Sequence, residues 1–407
     1  MNREITILIH LQKNVEKQFG KQISSSTDCD QLARLLTRDF NSNVSSQTLR
    51  RFFGLIKSES KSSHFTLDIL SKFCGFKDFK SFSYSYRNTE LELFFADAGN
   101  IDQNYWEKSE QLCKQITDSP ELLVNTHHRL MSFPMARKYF IEHHPLRDMI
   151  GTVYSQYFLA YLKFNHSNQA KIFAYGFLFN SAFLLQNTEL MELYYKKVKE
   201  TELTDEVHVI PAGLKYGVQL LYADITRNEY LFRKYFAEMK KVRIQYIEDS
   251  EKSVCSFEST VLESLIFTNR TKEIKFLINN NSFQKNDDRT FIPLERKQTH
   301  DEVWNILCAT AYQKIGDHKN AALYLNTIKL ENLGIGWRKY YSILYYFAKL
   351  NCKDRNEQSS IILKLKTLID ENYFCYYNNS LNEYSELADK KKKQFDDIRE
   401  FEPLLVG

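Results

Sequence analysis

The chain has 407 residues, 43% of them hydrophobic and 26% charged, with a formal net charge of +4. This composition is typical of a globular protein and excludes a disordered or collagen-like chain. The seven cysteines are odd in number and contain no Cys-x-x-Cys pair, which argues against a disulfide framework and a structural zinc site. No run of about 18 apolar residues predicts a membrane span, and the N-terminus lacks a signal-peptide pattern. We therefore expect a cytoplasmic protein with no membrane partner.

Scarce glycine and proline predict the fold class. The chain holds 12 Gly and 6 Pro, about 4% of its residues, against roughly 12% in an average protein. Because these residues mark turns and hairpins, their scarcity indicates long helices and few tight turns. The 25 Tyr and 30 Phe would then pack mostly between helices. The prediction is an all-α protein.

Charge is distributed unevenly along the chain. Residues 1–88 hold 14 Lys and Arg against 8 Asp and Glu, a net charge of +6, whereas residues 89–407 hold 41 against 43. From about residue 89 the helical stretches also become longer and richer in aromatic residues. We therefore predict two domains, residues 1–88 and 89–407, the first with the basic excess of a nucleic-acid-binding module.

Two helices are predicted at the start of the first domain. Apolar positions between residues 5 and 19 follow a helical period, and Gly20 ends that helix. Residues 24–28 (SSSTD) supply caps for a second helix, whose apolar face is marked by Leu32, Leu35, Leu36 and Phe40. An Asn-Ser-Asn turn follows at 41–43, where asparagine suits left-handed backbone.

A third, short helix at residues 44–54 carries the most distinctive chemistry. Serines open it and Gly54 closes it, as capping requires. Spacing of i, i+3 and i+4 predicts a buried face made of Leu49, Phe52 and Phe53. The opposite face carries Gln47, Arg50 and Arg51.

Two further helices complete the predicted first domain. After a polar loop at 57–64, apolar spacing predicts a fourth helix that Gly75 closes, and three phenylalanines predict a short fifth helix: Phe76, Phe79 and Phe82. Five short helices in about 80 residues, the second and third joined by a polar turn, indicate a helix-turn-helix bundle. The segments LARLLTRDF, NSN, VSSQTLRRFFG and TLDILSKFCGF, within residues 24–82, resemble the lambda-repressor-like class of helix-turn-helix domains. The connection between Ala33 and Leu49 is longer than the tight form of that motif.

This resemblance implies that the third helix enters the major groove of double-stranded DNA. Gln47 and Arg50 would then meet base edges, and Arg51 a base or a phosphate. The helix N-terminus would hold a phosphate through Ser45 and Ser46. Further contacts to the DNA backbone are predicted for Arg34, Arg38, Lys57 and Lys61. The alternative is that the two arginines are only the solvated face of a small bundle.

The second domain contains one clear repeat-like segment, WNILCATAYQKIGDHKNAALYL, which begins at Trp304. It resembles a tetratricopeptide repeat, in which small residues are needed where two helices touch and Gly-Asp suits the turn between them. The residues assigned to this packing are Ala309, Tyr312, Gly316, Asp317 and Ala321. Its tryptophan lies one position away from the usual place in the repeat.

Weaker matches suggest further repeats. Tyr161, Asn165 and Ala170 have the same spacing as Tyr312, Gly316 and Ala321, and a fainter match lies at residues 222–231. Together they predict a right-handed α-solenoid of helical hairpins whose concave face would bind a peptide or another protein. The alternative is a single chance match within an ordinary helical domain.

No enzyme motif is present. The chain lacks the dinucleotide-binding, phosphate-binding, zinc-protease and hydrolase motifs that combine glycines with catalytic residues. The histidine pairs at 127–128 and 143–144 lack the cysteine or carboxylate spacing that would complete a metal site. We therefore predict a non-enzyme without cofactor or metal.

The two resemblances together are similar to the architecture of peptide-sensing transcriptional regulators. They imply a DNA-binding regulator whose helical-repeat body binds a peptide or protein ligand, mediates homodimerisation, or does both. The alternative is a protein-interaction scaffold whose N-terminal bundle does not bind DNA. An enzyme with an unrecognised site is the third possibility.

Overall fold

The computed structural model describes residues 3–57, 62–83, 85–86, 113–114, 116, 123–124, 126–282, 292–350 and 355–384. Every regular element within these ranges is helical, which confirms the predicted all-α class. The chain divides into two compact units, Met1–Gly99 and Asn100–Gly407. The boundary predicted at residues 88–89 lies outside the described ranges and stays a prediction.

The described part of the first unit contains four helices followed by a short helical stretch at residues 79–83. The helices are α1 (Arg3–Phe19), α2 (Ser26–Phe40), α3 (Ser46–Phe52) and α4 (His64–Phe73). Apolar residues spaced at helical intervals point inward from each of these helices to a shared core. Six of them are fully buried: Leu11, Val15, Leu32, Leu36, Leu49 and Leu70.

Local capping fixes the ends of these helices. At the start of α2, the Ser25 hydroxyl accepts a hydrogen bond from the Asp28 backbone N–H, and the Asp28 carboxylate accepts one from the Ser25 backbone. This reciprocal capping satisfies two N–H groups that the helix itself cannot bond. At its other end, Asn41 takes left-handed backbone with a φ of 47°, as the Asn-Ser-Asn turn predicts. Gly54, after α3, has a φ of 74°.

The regular elements in the described residues of the second unit are helical as well. Its α-helices are α5 (His127–Ser132), α6 (Pro134–Ala136), α7 (Ser155–Leu162), α8 (Asn168–Leu184), α9 (Thr188–Glu200), α10 (Val209–Ile225), α11 (Glu229–Gln245), α12 (Ile247–Glu251), α13 (Phe257–Leu265), α14 (Thr271–Asn279), α15 (Leu294–Lys314), α16 (His318–Thr327), α17 (Arg338–Leu350) and α18 (Arg355–Asn372). A π-helical turn at Arg137–Glu142 and two 3₁₀ turns, Arg147–Met149 and Leu330–Asn332, lie between them.

Three helix pairs in this unit are joined by turns of the same geometry. In each turn a left-handed residue precedes an Asn or Asp, whose side chain caps the next helix; the turns are Gln186-Asn187, Arg227-Asn228 and Gly316-Asp317. The capping oxygen lies 3.0, 3.0 and 3.1 Å from the backbone nitrogen three residues later. The capping residue's own N–H bonds a carbonyl five residues back in all three turns. Such bonds satisfy carbonyls at the end of one helix and N–H groups at the start of the next.

Consecutive helices in the second unit pack as pairs: α8 with α9, α10 with α11, α13 with α14, α15 with α16 and α17 with α18. The first helix of each pair also packs against the first helix of the next pair. Glycine makes the closest of these approaches possible on α10. A Cβ at Gly217 would lie 2.5 Å from the Ser264 hydroxyl oxygen, and one at Gly213 would lie 2.8 Å from the Phe257 carbonyl oxygen. Both of those partners belong to α13.

Candidate nucleic-acid interface

Helix α3 has the local structure that its sequence predicts. The Ser45 hydroxyl accepts a hydrogen bond from the Thr48 backbone N–H over 3.2 Å, so a serine caps the helix. Leu49 and Phe52 are buried on one face, whereas Gln47 and Arg51 are exposed on the other. Because the cap and the apolar spacing are local, the short helix is held with a defined face toward the core and a polar face toward solvent.

Arg50 is not free on that polar face. Its Nη2 lies 3.0 Å from Oδ1 of Asp30, a residue of α2. The Ser46 hydroxyl donates a hydrogen bond to the same carboxylate oxygen. The Ser46 hydrogen bond and the charge of Arg50 hold the pKa of Asp30 below its ordinary value. Two of the residues predicted to contact DNA are therefore already bound to a carboxylate of the protein.

Asp30 is the site residue that the sequence reasoning missed. It lies between the buried Cys29 and Leu32, so its place near the core-facing side of α2 follows from the helical period. The spacing of 20 residues to Arg50 gives no indication that the two meet, because the crossing of α2 and α3 brings them together.

Arg51 is exposed and has no ion-pair partner in the described part of the chain. Gln47, one turn earlier, is exposed as well. Gln47 lies in the first turn of α3 and Arg51 in its last turn. These two side chains, unlike that of Arg50, present unengaged polar groups to solvent. A guanidinium that faces water can meet a phosphate or a guanine edge without first breaking an internal bond.

The flanking basic residues are placed differently from one another. Arg38 is exposed but forms two hydrogen bonds to its neighbour Asp39, at 2.6 and 3.1 Å. Arg34 is exposed and its Nε donates to the Asp30 backbone carbonyl over 3.3 Å. Lys57 is exposed, and Lys61 lies outside the described residues.

The residues assigned to repeat packing surround one turn of the second unit. Ala309 and Ala321 have no exposed surface, and the ring of Tyr312 stacks on that of Tyr324 with centroids 5.6 Å apart. Gly316 has a φ of 80°, and Asp317 caps α16. A small side chain at each alanine lets α15 and α16 approach closely at this point.

Two histidines of the second unit, His143 and His144, have pKa values that are lowered by burial. Burial lowers the pKa of His144 to about 4, and its Nε2 lies 2.6 Å from the Ile335 carbonyl oxygen. Burial likewise lowers the pKa of His143 to about 3. Across the described ranges, no three His, Cys, Asp or Glu side chains are grouped as a metal site would require.

Comparisons with known proteins leave the chain without an assigned family. No family model, no curated protein and no solved structure matches it. None of the helices in the described residues has both the length and the apolar character needed to cross a membrane.

Proposed function

We propose that the protein is a DNA-binding transcriptional regulator, with α3 as the helix that enters the major groove. The observation that carries the proposal is the exposed pair of Gln47 and Arg51 on a serine-capped helix of a basic unit. A helix N-terminus with free N–H groups attracts phosphate, and the neighbouring side chains are then within reach of base edges.

In this proposal the paired Arg50 has a different role from Arg51. The bond to Asp30 holds the Arg50 guanidinium in a fixed position beside Ser46. Since the pair is partly solvent-exposed, the bond contributes little energy, and phosphate or guanine can compete for the guanidinium. Arg51 then makes the first electrostatic contact, and Arg50 joins after its bond to Asp30 loosens.

The second unit is proposed to form a right-handed α-solenoid. Support comes from the three turns of shared geometry and from the packing of each pair's first helix on that of the next. An array of this kind exposes an extended surface, which suits a peptide or protein ligand or a second copy of the chain. The regulator would thus combine a DNA-binding unit with a ligand-binding or dimerising body.

Fluorescence anisotropy with a labelled random-sequence duplex tests the proposal. Binding should weaken steeply as salt rises from about 50 to 200 mM, because phosphate contacts release counterions. The double variant Arg50→Glu/Arg51→Glu should abolish binding. The matched control is Lys13→Glu/Lys17→Glu, which reverses two exposed charges on α1. Equal loss in both double variants, or unchanged binding in the first, would contradict the assigned role of α3.

One observation favours a second candidate, a protein-interaction scaffold. Asp30 and Asp39 each bond one of the arginines predicted to contact DNA, which reduces the positive charge that the unit offers. No anisotropy change at about 50 mM salt, together with recovery of a stable protein partner, would decide for the scaffold.

A further inference from the structure

A cleft of about 230 Å³ lies in the second unit between the turn that follows α13, the helices α15 and α17, and the helical residues 375–384. Three of its walls are apolar and buried, formed by Ile266, Leu344 and Ala348. An apolar cavity of about 150 Å³ is enough to hold benzene, so a molecule with one aromatic ring fits this volume. The cleft is therefore large enough for a small organic ligand.

Aromatic rings cover one side of the cleft. The rings of Phe267 and Tyr376 meet edge to face with centroids 5.4 Å apart. Phe347 stacks on Tyr377 at 5.7 Å. A ring or a short hydrocarbon chain packed against these faces would be stabilised by dispersion contacts and by removal of its apolar surface from water.

The charge of the cleft is one-sided. Lys314 is the charged side chain among the described residues that line it, and none of those residues is an Asp or Glu. The hydroxyls of Thr310 and Ser380 also line the cleft, and each donates its proton to a backbone carbonyl of its own helix. This combination of one ammonium and apolar walls is complementary to an anion with an apolar body.

Lys314 itself lacks a strong partner in the folded chain. Its Nζ reaches the Asn269 side-chain oxygen only at 3.5 Å, and no carboxylate of the described residues lies within ion-pair distance. Asp224, whose charge acts on it, is already bound to the Arg270 Nε at 2.6 Å. Burial accordingly lowers the pKa of Lys314. Lys314 is only partly buried, so its ammonium can meet a ligand that carries the opposite charge.

We propose that this cleft binds a small organic carboxylate with an aromatic or short apolar body. The carboxylate lies at Lys314, and the body packs against Phe267 and Tyr376. The charge-assisted hydrogen bond fixes the orientation of the ligand, while the rings supply most of the buried area. The site belongs to the second unit alone and does not depend on whether α3 binds DNA.

Isothermal titration calorimetry on the full chain tests this directly with three probes of the same shape. The probes are 3-phenylpropionate, 3-phenylpropanol and 3-phenylpropylamine, which share the phenyl ring and linker and end in an anionic, a neutral and a cationic group. The carboxylate should bind about tenfold more tightly than the alcohol, because a hydrogen bond to a charged group contributes about 1.5 kcal/mol or more. The amine should bind more weakly than either.

The variant Lys314→Met removes the charge and keeps most of the length of the side chain. It should bring the carboxylate down to the affinity of the alcohol and leave the alcohol nearly unchanged. Since Lys314 is partly exposed and forms no ion pair with the described residues, its replacement should not impair folding. Lys319→Met, at an exposed position on α16, is the matched control. The proposal is overturned if none of the probes gives heat at millimolar concentration, if the alcohol or amine equals the carboxylate, or if Lys314→Met leaves the order unchanged. DNA binding is absent from the assay, so its outcome is separate from that of the proposed regulator.

Discussion

Each unit contains an arginine bonded to a carboxylate, and the two pairs differ in burial. In the first unit, the Arg50 and Asp30 side chains keep 29% and 43% of their exposed surface. In the second, Arg147 and Glu263 keep 14% and 17%, and Arg147 makes two parallel hydrogen bonds at 2.8 and 3.0 Å. The exposed pair can be exchanged for an external partner, whereas the buried one is part of the fold.

Aromatic rings enclose the buried pair. The guanidinium of Arg147 lies over the rings of Phe177, Trp337 and Tyr341, at 5.2, 4.8 and 5.6 Å from their centroids. The Tyr341 hydroxyl donates a hydrogen bond to Glu263 over 2.7 Å. Burial alone would raise the pKa of Glu263, but Arg147 and Tyr341 hold it below its ordinary value. This arrangement joins the Arg147–Met149 turn to α13 and α17.

The largest expected effect on stability comes from breaking the buried pair of Arg147 and Glu263. Glu263→Ala should lower the free energy of unfolding of the second unit by about 3 to 5 kcal/mol, because it leaves Arg147 buried and unpaired. Urea unfolding followed by circular dichroism measures the change. The double variant Arg147→Met/Glu263→Leu should recover most of the loss. A loss below about 1 kcal/mol in the single variant would show that the buried pair contributes no more to stability than an exposed ion pair does, and would contradict the prediction.

A smaller effect on stability is expected from the buried His144, and it depends on pH. Its pKa is about 4 in the folded state and 6.5 without perturbation, so its contribution to stability is complete above pH 6.5 and is lost as pH falls toward 4. At pH 5 the loss is about 2 kcal/mol, at about 1.4 kcal/mol per pKa unit. The measurement is the unfolding free energy at pH 7 and pH 5 for the natural chain and for His144→Asn. Identical pH dependence in both proteins would contradict the buried, neutral histidine.

The smallest expected effect on stability comes from the exposed pair. Asp30→Asn should leave the free energy of unfolding nearly unchanged, because exposed ion pairs contribute little to stability. The same variant should strengthen DNA binding a few-fold, because Arg50 is released and a negative charge is removed. The dependence of binding on salt should become steeper by the amount expected for about one additional phosphate contact. Anisotropy titrations at several salt concentrations measure both quantities. Weaker DNA binding in Asp30→Asn would instead show that the carboxylate positions Arg50 for its contact.

The same comparison explains what could be predicted from the sequence. The cap at Ser45 and the left-handed Asn41 were predictable because each depends on residues within one turn. The two ion pairs were not, because 20 and 116 residues separate their partners. Long-range contacts of this kind depend on how helices cross, which helical periodicity does not specify.

The turns that join the helix pairs of the second unit are also only partly predictable from sequence. The turn at Gly316-Asp317 is predictable from sequence because glycine marks left-handed backbone. The turn at Gln186-Asn187 has the same geometry but is not predictable, since glutamine is not a residue that indicates a left-handed position. The arrangement of the remaining hairpins depends on packing between neighbours rather than on turn residues.

The central claim is that the unengaged Arg51 of α3, rather than the positive charge of the unit in general, makes the DNA contact. The most direct measurement compares two single charge reversals by anisotropy on the same duplex. Arg51→Glu should weaken binding by about tenfold or more, and Arg38→Glu should weaken it less, because Arg38 is already paired with Asp39. Equal losses in the two variants, or no DNA binding by the natural chain at low salt, would contradict the claim.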